Sequence, residues 1–67
     1  RVEDESGVMT ALRRLPHTQR GVVVLAVLEG FPHADVADAL GISVGTVKSR
    51  LSRAKVRLRA ELAELEA

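Results

Sequence analysis

No cysteine occurs among the 67 residues, which excludes disulfides and thiolate metal sites and fits a reducing cytoplasm. Tryptophan and tyrosine are absent too, and Phe31 is the single aromatic residue. A core must then be assembled from Val, Leu, Ile and Ala, which favours small helices packed closely. The most apolar run, Val22 to Leu28, is seven residues long, far short of the roughly 20 that a membrane span needs. No signal peptide is visible. His17 and His33 stand apart, outside any ligand pattern such as His-Glu-x-x-His. No nucleophile motif or phosphate loop occurs either, so neither an enzyme nor a bound cofactor or metal is expected.

Acidic residues are missing from one stretch in particular. Between Ala39 and Ala60 the chain carries six cations (Lys48, Arg50, Arg53, Lys55, Arg57 and Arg59) and no acid. The other 45 residues hold the remaining four cations and all nine acids, so a formal charge of +1 conceals a strongly polarised molecule. A single domain of this size hides only about 60% of its unfolded surface, and modest stability is expected. The chain begins with Arg rather than Met and is expected to be a fragment of a longer protein.

What is present reads as helices. Residues 1–5 read as a linker or frayed start, and residues 6–67 as one domain. Ser6 is a candidate N-cap for a first helix reaching about Leu15, with Val8, Met9, Leu12 and Leu15 at helical spacing. Pro16 stops it, because the residue before proline is pushed out of the helical region. A second helix is predicted from about Thr18, its N-cap, to Glu29, with Gly30 as a left-handed exit. Its Val22–Leu28 run is apolar almost all round, which implies central burial or a face reserved for a partner.

Phe31-Pro32 opens a short third helix ending at Leu40, with Val36, Ala37 and Leu40 inward. Gly41 supplies the positive φ of a sharp helix-to-helix turn. Ser43 caps a fourth helix running to about Leu65, whose Val47, Leu51, Ala54, Leu58, Leu62 and Leu65 form a seam in steps of three and four. The predicted architecture is all-α, a small four-helix domain with a C-terminal helix-turn-helix. A first helix bracing an exposed second one is how small domains present a helix to the DNA major groove.

With the seam buried, Thr46, Lys48, Ser49, Arg50, Ser52, Arg53, Arg57 and Arg59 cover the rest of the fourth helix. Residues near the start of a recognition helix reach base edges while flanking cations meet phosphates. Arg is the natural bidentate partner of guanine O6 and N7. Lys48, Ser49 and Arg53 can share one groove-facing stripe, with Ser52 beside them. Gly45 and Thr46 occupy the first turn, where free N–H groups and the helix dipole favour a phosphate.

The run Gly41-Ile42-Ser43-Val44-Gly45-Thr46-Val47-Lys48-Ser49-Arg50-Leu51-Ser52-Arg53-Ala54 resembles region 4 of bacterial RNA polymerase sigma factors, above all the extracytoplasmic-function group. Upstream, Leu12-Arg13-Arg14-Leu15-Pro16, Gln19-Arg20, Val24-Leu25 and Glu29-Gly30 are similar to the first two helices of that domain, so the resemblance covers about residues 8–60. It implies binding to the promoter −35 element, often a GGAAC-like sequence, and docking on the flap of the polymerase β subunit. By matching, Lys48, Ser49, Ser52 and Arg53 would read bases, with Thr46 and Arg50, joined by Arg57 and Arg59, on the phosphate backbone. The flap would meet an apolar surface of the first two helices. The basic face is also a target for an acidic inhibitor, either an anti-sigma factor or the chain's own sigma region 2.

Two departures from the family pattern stand out. Pro32 and His33 stand where a capping Ser and a Tyr are common, and Ala34 replaces a usual acid. Ser52 stands where some relatives carry a bulkier side chain. Two other readings remain open on the residues. The four helices and the Gly-Thr-Val-Lys segment also suit the DNA-binding domain of a response regulator or quorum-sensing activator, although those usually continue Lys-x-His. Leu58, Leu62 and Leu65 with Glu61, Glu64 and Glu66 would alternatively suit a helical protein-interaction module.

Overall fold

The computed structural model describes residues 7–66. Four helices follow one another: α1 (Gly7–Arg14), α2 (His17–Val23, continued by a π-helical turn over Val24–Leu28), α3 (His33–Leu40) and α4 (Val44–Glu66). No strand occurs among the described residues. The long α4 is the spine against which α1, α2 and α3 each pack.

Each boundary has a local cause. Helix α1 stops one residue before Leu15, whose N–H closes a tight turn on the Leu12 carbonyl at 3.1 Å ahead of Pro16. The Arg20 guanidinium donates to the Arg13 carbonyl at 3.2 Å, satisfying an acceptor at that helix end. The expected Ser6 cap lies outside the described residues. Helix α2 begins not behind Thr18 but behind Pro16, which makes no side-chain cap bond. Thr18 lies inside the first turn instead, because Pro16 already fixes the chain direction and its carbonyl accepts from Gln19 and Arg20.

The end of α2 departs from a regular α-helix. Gly30 takes φ 75°, as an exit glycine should. The turn it makes sends the Phe31 N–H back to the Leu25 carbonyl at 3.0 Å. The Glu29 N–H bonds five residues back, to Val24 at 2.9 Å, and the last turn takes the wider π geometry. Helix α3 likewise starts behind a proline, Pro32, with no capping side chain. Gly41 closes it at φ 69°, and Ile42 donates to the Ala37 carbonyl at 3.0 Å.

The core is aliphatic. Ala11, Leu12 and Leu15 from the α1 end, Val22 and Val23 from α2, Val36 and Ala37 from α3, and Val47, Leu51 and Ala54 from α4 are buried. Four expectations fail at the edges of this core. Val8 and Met9 are exposed, since they lie one turn short of the α1 face that packs inward. Leu40 is also exposed, at the last residue of α3 where the chain turns away over Gly41. The seam of α4 is half-buried at Leu58 and Leu62 and open at Leu65, beyond the reach of α2 and α3. Within the all-round apolar run, Val22 and Val23 are central, Val24–Ala26 are half-buried, and Val27 and Leu28 face outward.

Candidate nucleic-acid interface

The turn into α4 is fixed by groups that the sequence supplies locally. Ser43 Oγ accepts the Thr46 N–H at 3.0 Å, which is the N-cap bond, and donates its own proton to Thr46 Oγ1 at 3.0 Å. The Thr46 amide is thus occupied, and Thr46 keeps its hydroxyl proton for an outside acceptor. Gly41 in the left-handed region and this Ser43 cap together set the angle at which α4 leaves α3. Adding a Cβ at Gly41 would meet no neighbour within 4 Å, so glycine is needed there for its backbone and not for space.

Burial of Val47, Leu51 and Ala54 at 0–7% exposure orients the rest of the helix. At about 100° per residue, Ser49, Ser52, Arg53 and Val56 form the stripe opposite this seam, and all four are exposed. Thr46, Arg50 and Arg57 border the stripe on one side. Lys48, Lys55 and Arg59 border it on the other, next to α3. There Lys48, Ser52 and Lys55 rim an open groove whose other walls are Ala26, Val27, His33 and Leu51. The structure therefore gathers every residue singled out on α4 onto one continuous polar surface, but divides it into a centre and two flanks.

Hydrogen bonding sharpens the individual roles. The Ser49 hydroxyl donates to the Thr46 carbonyl at 3.2 Å, so its oxygen faces out as an acceptor. Lys48, Arg50, Arg53, Lys55 and Arg59 pair with no carboxylate among the described residues. Arg57 differs, because its Nε donates to Glu61 Oε2 at 3.0 Å. The other oxygen of Glu61 accepts from Arg14 Nη1 of α1 at 3.1 Å, and Glu64 stands 3.8 Å from the same nitrogen. Glu61 is only 12% exposed, and the hydrogen bonds from Arg57 and then Arg14 hold its carboxyl below the usual carboxylate range.

Sequence reasoning missed this clamp, which ties the end of α1 to the far half of α4. Arg57→Glu61 at i, i+4 was visible in the sequence, whereas Arg14 lies 47 residues away. His17 and His33 are both exposed. Among the described residues no group of three or more His, Cys, Asp or Glu converges as a metal site, and no helix is long and apolar enough to cross a membrane.

Comparison with known proteins places this surface in context. The family "Sigma-70, region 4" matches residues 7–58. The chain is 49% identical over 57 residues to the ECF RNA polymerase sigma factor SigM of Mycobacterium tuberculosis, covering 85% of this chain and 29% of that protein. It is 49% identical over 59 residues to the RNA polymerase sigma-E factor of Streptomyces coelicolor, covering 88% and 33% respectively. Against the ECF RNA polymerase sigma factor EcfG of Rhodopseudomonas palustris the figures are 44% over 52 residues, 78% and 29%. The chain thus spans about a third of the length of these relatives.

Proposed function

The chain belongs to the sigma-70 region 4 family, and from that premise we propose that it recognises a promoter −35 element and helps direct RNA polymerase to transcription start sites. The observation that carries this reading is the exposed face of α4, where five cations lie around a polar stripe with no carboxylate among the described residues to neutralise them. In this reading α3 braces α4, and the Gly41 and Ser43 turn sets the tilt at which α4 enters the major groove.

Arg53 and Lys48 suit guanine O6 and N7. Ser49, its proton held by Thr46, accepts from an adenine or cytosine amino group. Ser52 sits between them with a small hydroxyl that either donates or accepts. The Thr46 hydroxyl, Arg50 and Arg59 hold phosphates on either side, and Arg57 joins them by exchanging Glu61 for a phosphate oxygen. The polymerase β flap meets the apolar side chains that the first two helices leave open, Val27 and Leu28 foremost. An acidic inhibitor, whether an anti-sigma factor or the chain's own sigma region 2, would cover the same basic face in the cytoplasm.

Base-reading and phosphate-holding residues separate by mutation. Arg53→Ala is expected to cost about 1–3 kcal/mol of discrimination between a GGAAC-containing duplex and a scrambled one. Arg59→Ala is expected to weaken both duplexes alike. Equal loss of discrimination in the two variants, read by fluorescence anisotropy, would contradict the division of roles.

A further inference from the structure

One residue on the exposed stripe is unexplained by charge or by the core. Val56 is 65% exposed, more than any other large apolar side chain among the described residues. It stands in the middle of the polar face, with Lys55 and Arg57 on either side in sequence. Single exposed aliphatics are ordinary on protein surfaces, so exposure alone says little. Valine is also a weaker helix former than the Lys and Arg beside it, and nothing in the packing requires it here.

Its position carries the argument. Ser49, Ser52, Arg53 and Val56 stand at i, i+3, i+4 and i+7. Recognition helices that lie along the major groove read bases with side chains at this spacing. Seven residues of helix rise about 10 Å, the length of about three base-pair steps. A helix laid along the groove would therefore bring Val56 about three base pairs from the one facing Ser49. The apolar group that a base pair presents in that groove is the 5-methyl of thymine.

We infer that Val56 is a fifth base reader of α4, packing its methyl groups against a thymine 5-methyl about three base pairs from the contact of Ser49. The inference rests on the promoter-binding reading above. The contact removes two small apolar surfaces from water and discriminates thymine by shape, where phosphate contacts carry no direct sequence information. It also gives a valine in a basic face a reason that neither stability nor phosphate attraction supplies.

Deoxyuridine provides the test, since it differs from thymidine only by that methyl. Each thymine of a GGAAC-containing duplex, including those opposite its two adenines, is replaced in turn and the affinity of the chain measured by anisotropy. One position is expected to weaken binding about fourfold, the equivalent of about 0.8 kcal/mol for one buried methyl group. Val56→Ala is expected to bind the thymine duplex about as weakly and to be indifferent to uracil at that position. Helicity by circular dichroism checks that the variant is folded. A wild type insensitive to every replacement, or a Val56→Ala variant that keeps the same thymine preference, would overturn the inference while leaving promoter binding intact. Loss of the preference for the GGAAC duplex over a scrambled one would overturn the underlying reading and this one with it.

Discussion

From Val44 to Ala54, α4 keeps Val47, Leu51 and Ala54 out of water against α2 and α3, while beyond Lys55 the same seam opens until Leu65 is 40% exposed. The far half packs more thinly, through half-buried Leu58 and Leu62, and adds Glu61, which ties Arg57 and Arg14 together at 3.0 and 3.1 Å. One half of the helix is fixed by full apolar burial and the other by partial burial supplemented by ions. Salt weakens ion pairs at the surface but leaves apolar packing in place. The half that carries Lys48, Ser49, Ser52 and Arg53 is thus the half whose orientation survives the salt that loosens DNA binding. The family match ends at residue 58, close to where this change of support occurs.

The largest break in the comparison is in the core of the near half. Leu51→Ala is expected to cost about 2–5 kcal/mol, a large part of the about 3–10 kcal/mol that a domain of this size holds. Leu65→Ala is expected to cost less than about 0.5 kcal/mol, as an exposed substitution. Urea unfolding of the two variants measures both, and equal losses would remove the distinction between the halves. Next comes the turn. Gly41→Ala forces an alanine into the left-handed region and is expected to cost about 1–2 kcal/mol. Ser43→Ala loses the cap bond to Thr46, at about 1 kcal/mol.

The smallest effect is expected at the ion clamp. Glu61→Gln removes both ion pairs and should lower the melting temperature less than either turn variant, with the difference shrinking at high salt. It also releases Arg57, which no longer has to give up Glu61 to reach a phosphate, and affinity for both duplexes is expected to rise. An unchanged affinity would leave Arg57 outside the phosphate contacts. The same clamp has a pH signature. Since the Glu61 carboxyl titrates below its unfolded value, its contribution is present above the usual carboxylate range and is lost as pH falls through the lowered folded value. A melting-temperature profile over acid pH is expected to fall less for Glu61→Gln than for the wild type.

Much of the near half was legible in the sequence because its causes are local. Gly41 and Ser43 act within one turn of chain, and the spacing of Val47, Leu51 and Ala54 is set by the helix itself. The Arg14 end of the clamp was not, because nothing in a sequence says which of four upstream cations folds back 47 residues onto Glu61. The start of α2 was misread for a different reason. Pro16 sets the chain direction without a side-chain cap, as Pro32 does for α3, so the capping preference that works at Ser43 fails there. The π turn after Val23 pairs the Glu29 N–H with the Val24 carbonyl, a choice of acceptor that residue types do not encode. On the site, the sequence grouped Lys48 with the central readers, while the folded helix sets it beside Lys55 on the α3 flank.

The central claim, that the near half of α4 reads a promoter element by a salt-dependent groove contact, is tested most directly by anisotropy titrations of this chain. A GGAAC-containing duplex and a scrambled duplex are compared over a range of salt concentrations. With about five phosphates engaged, log affinity is expected to fall against log salt with a slope of about −4 to −5, and the GGAAC duplex to remain the tighter at each concentration. Equal affinity for the two duplexes, or a slope near zero, would contradict it.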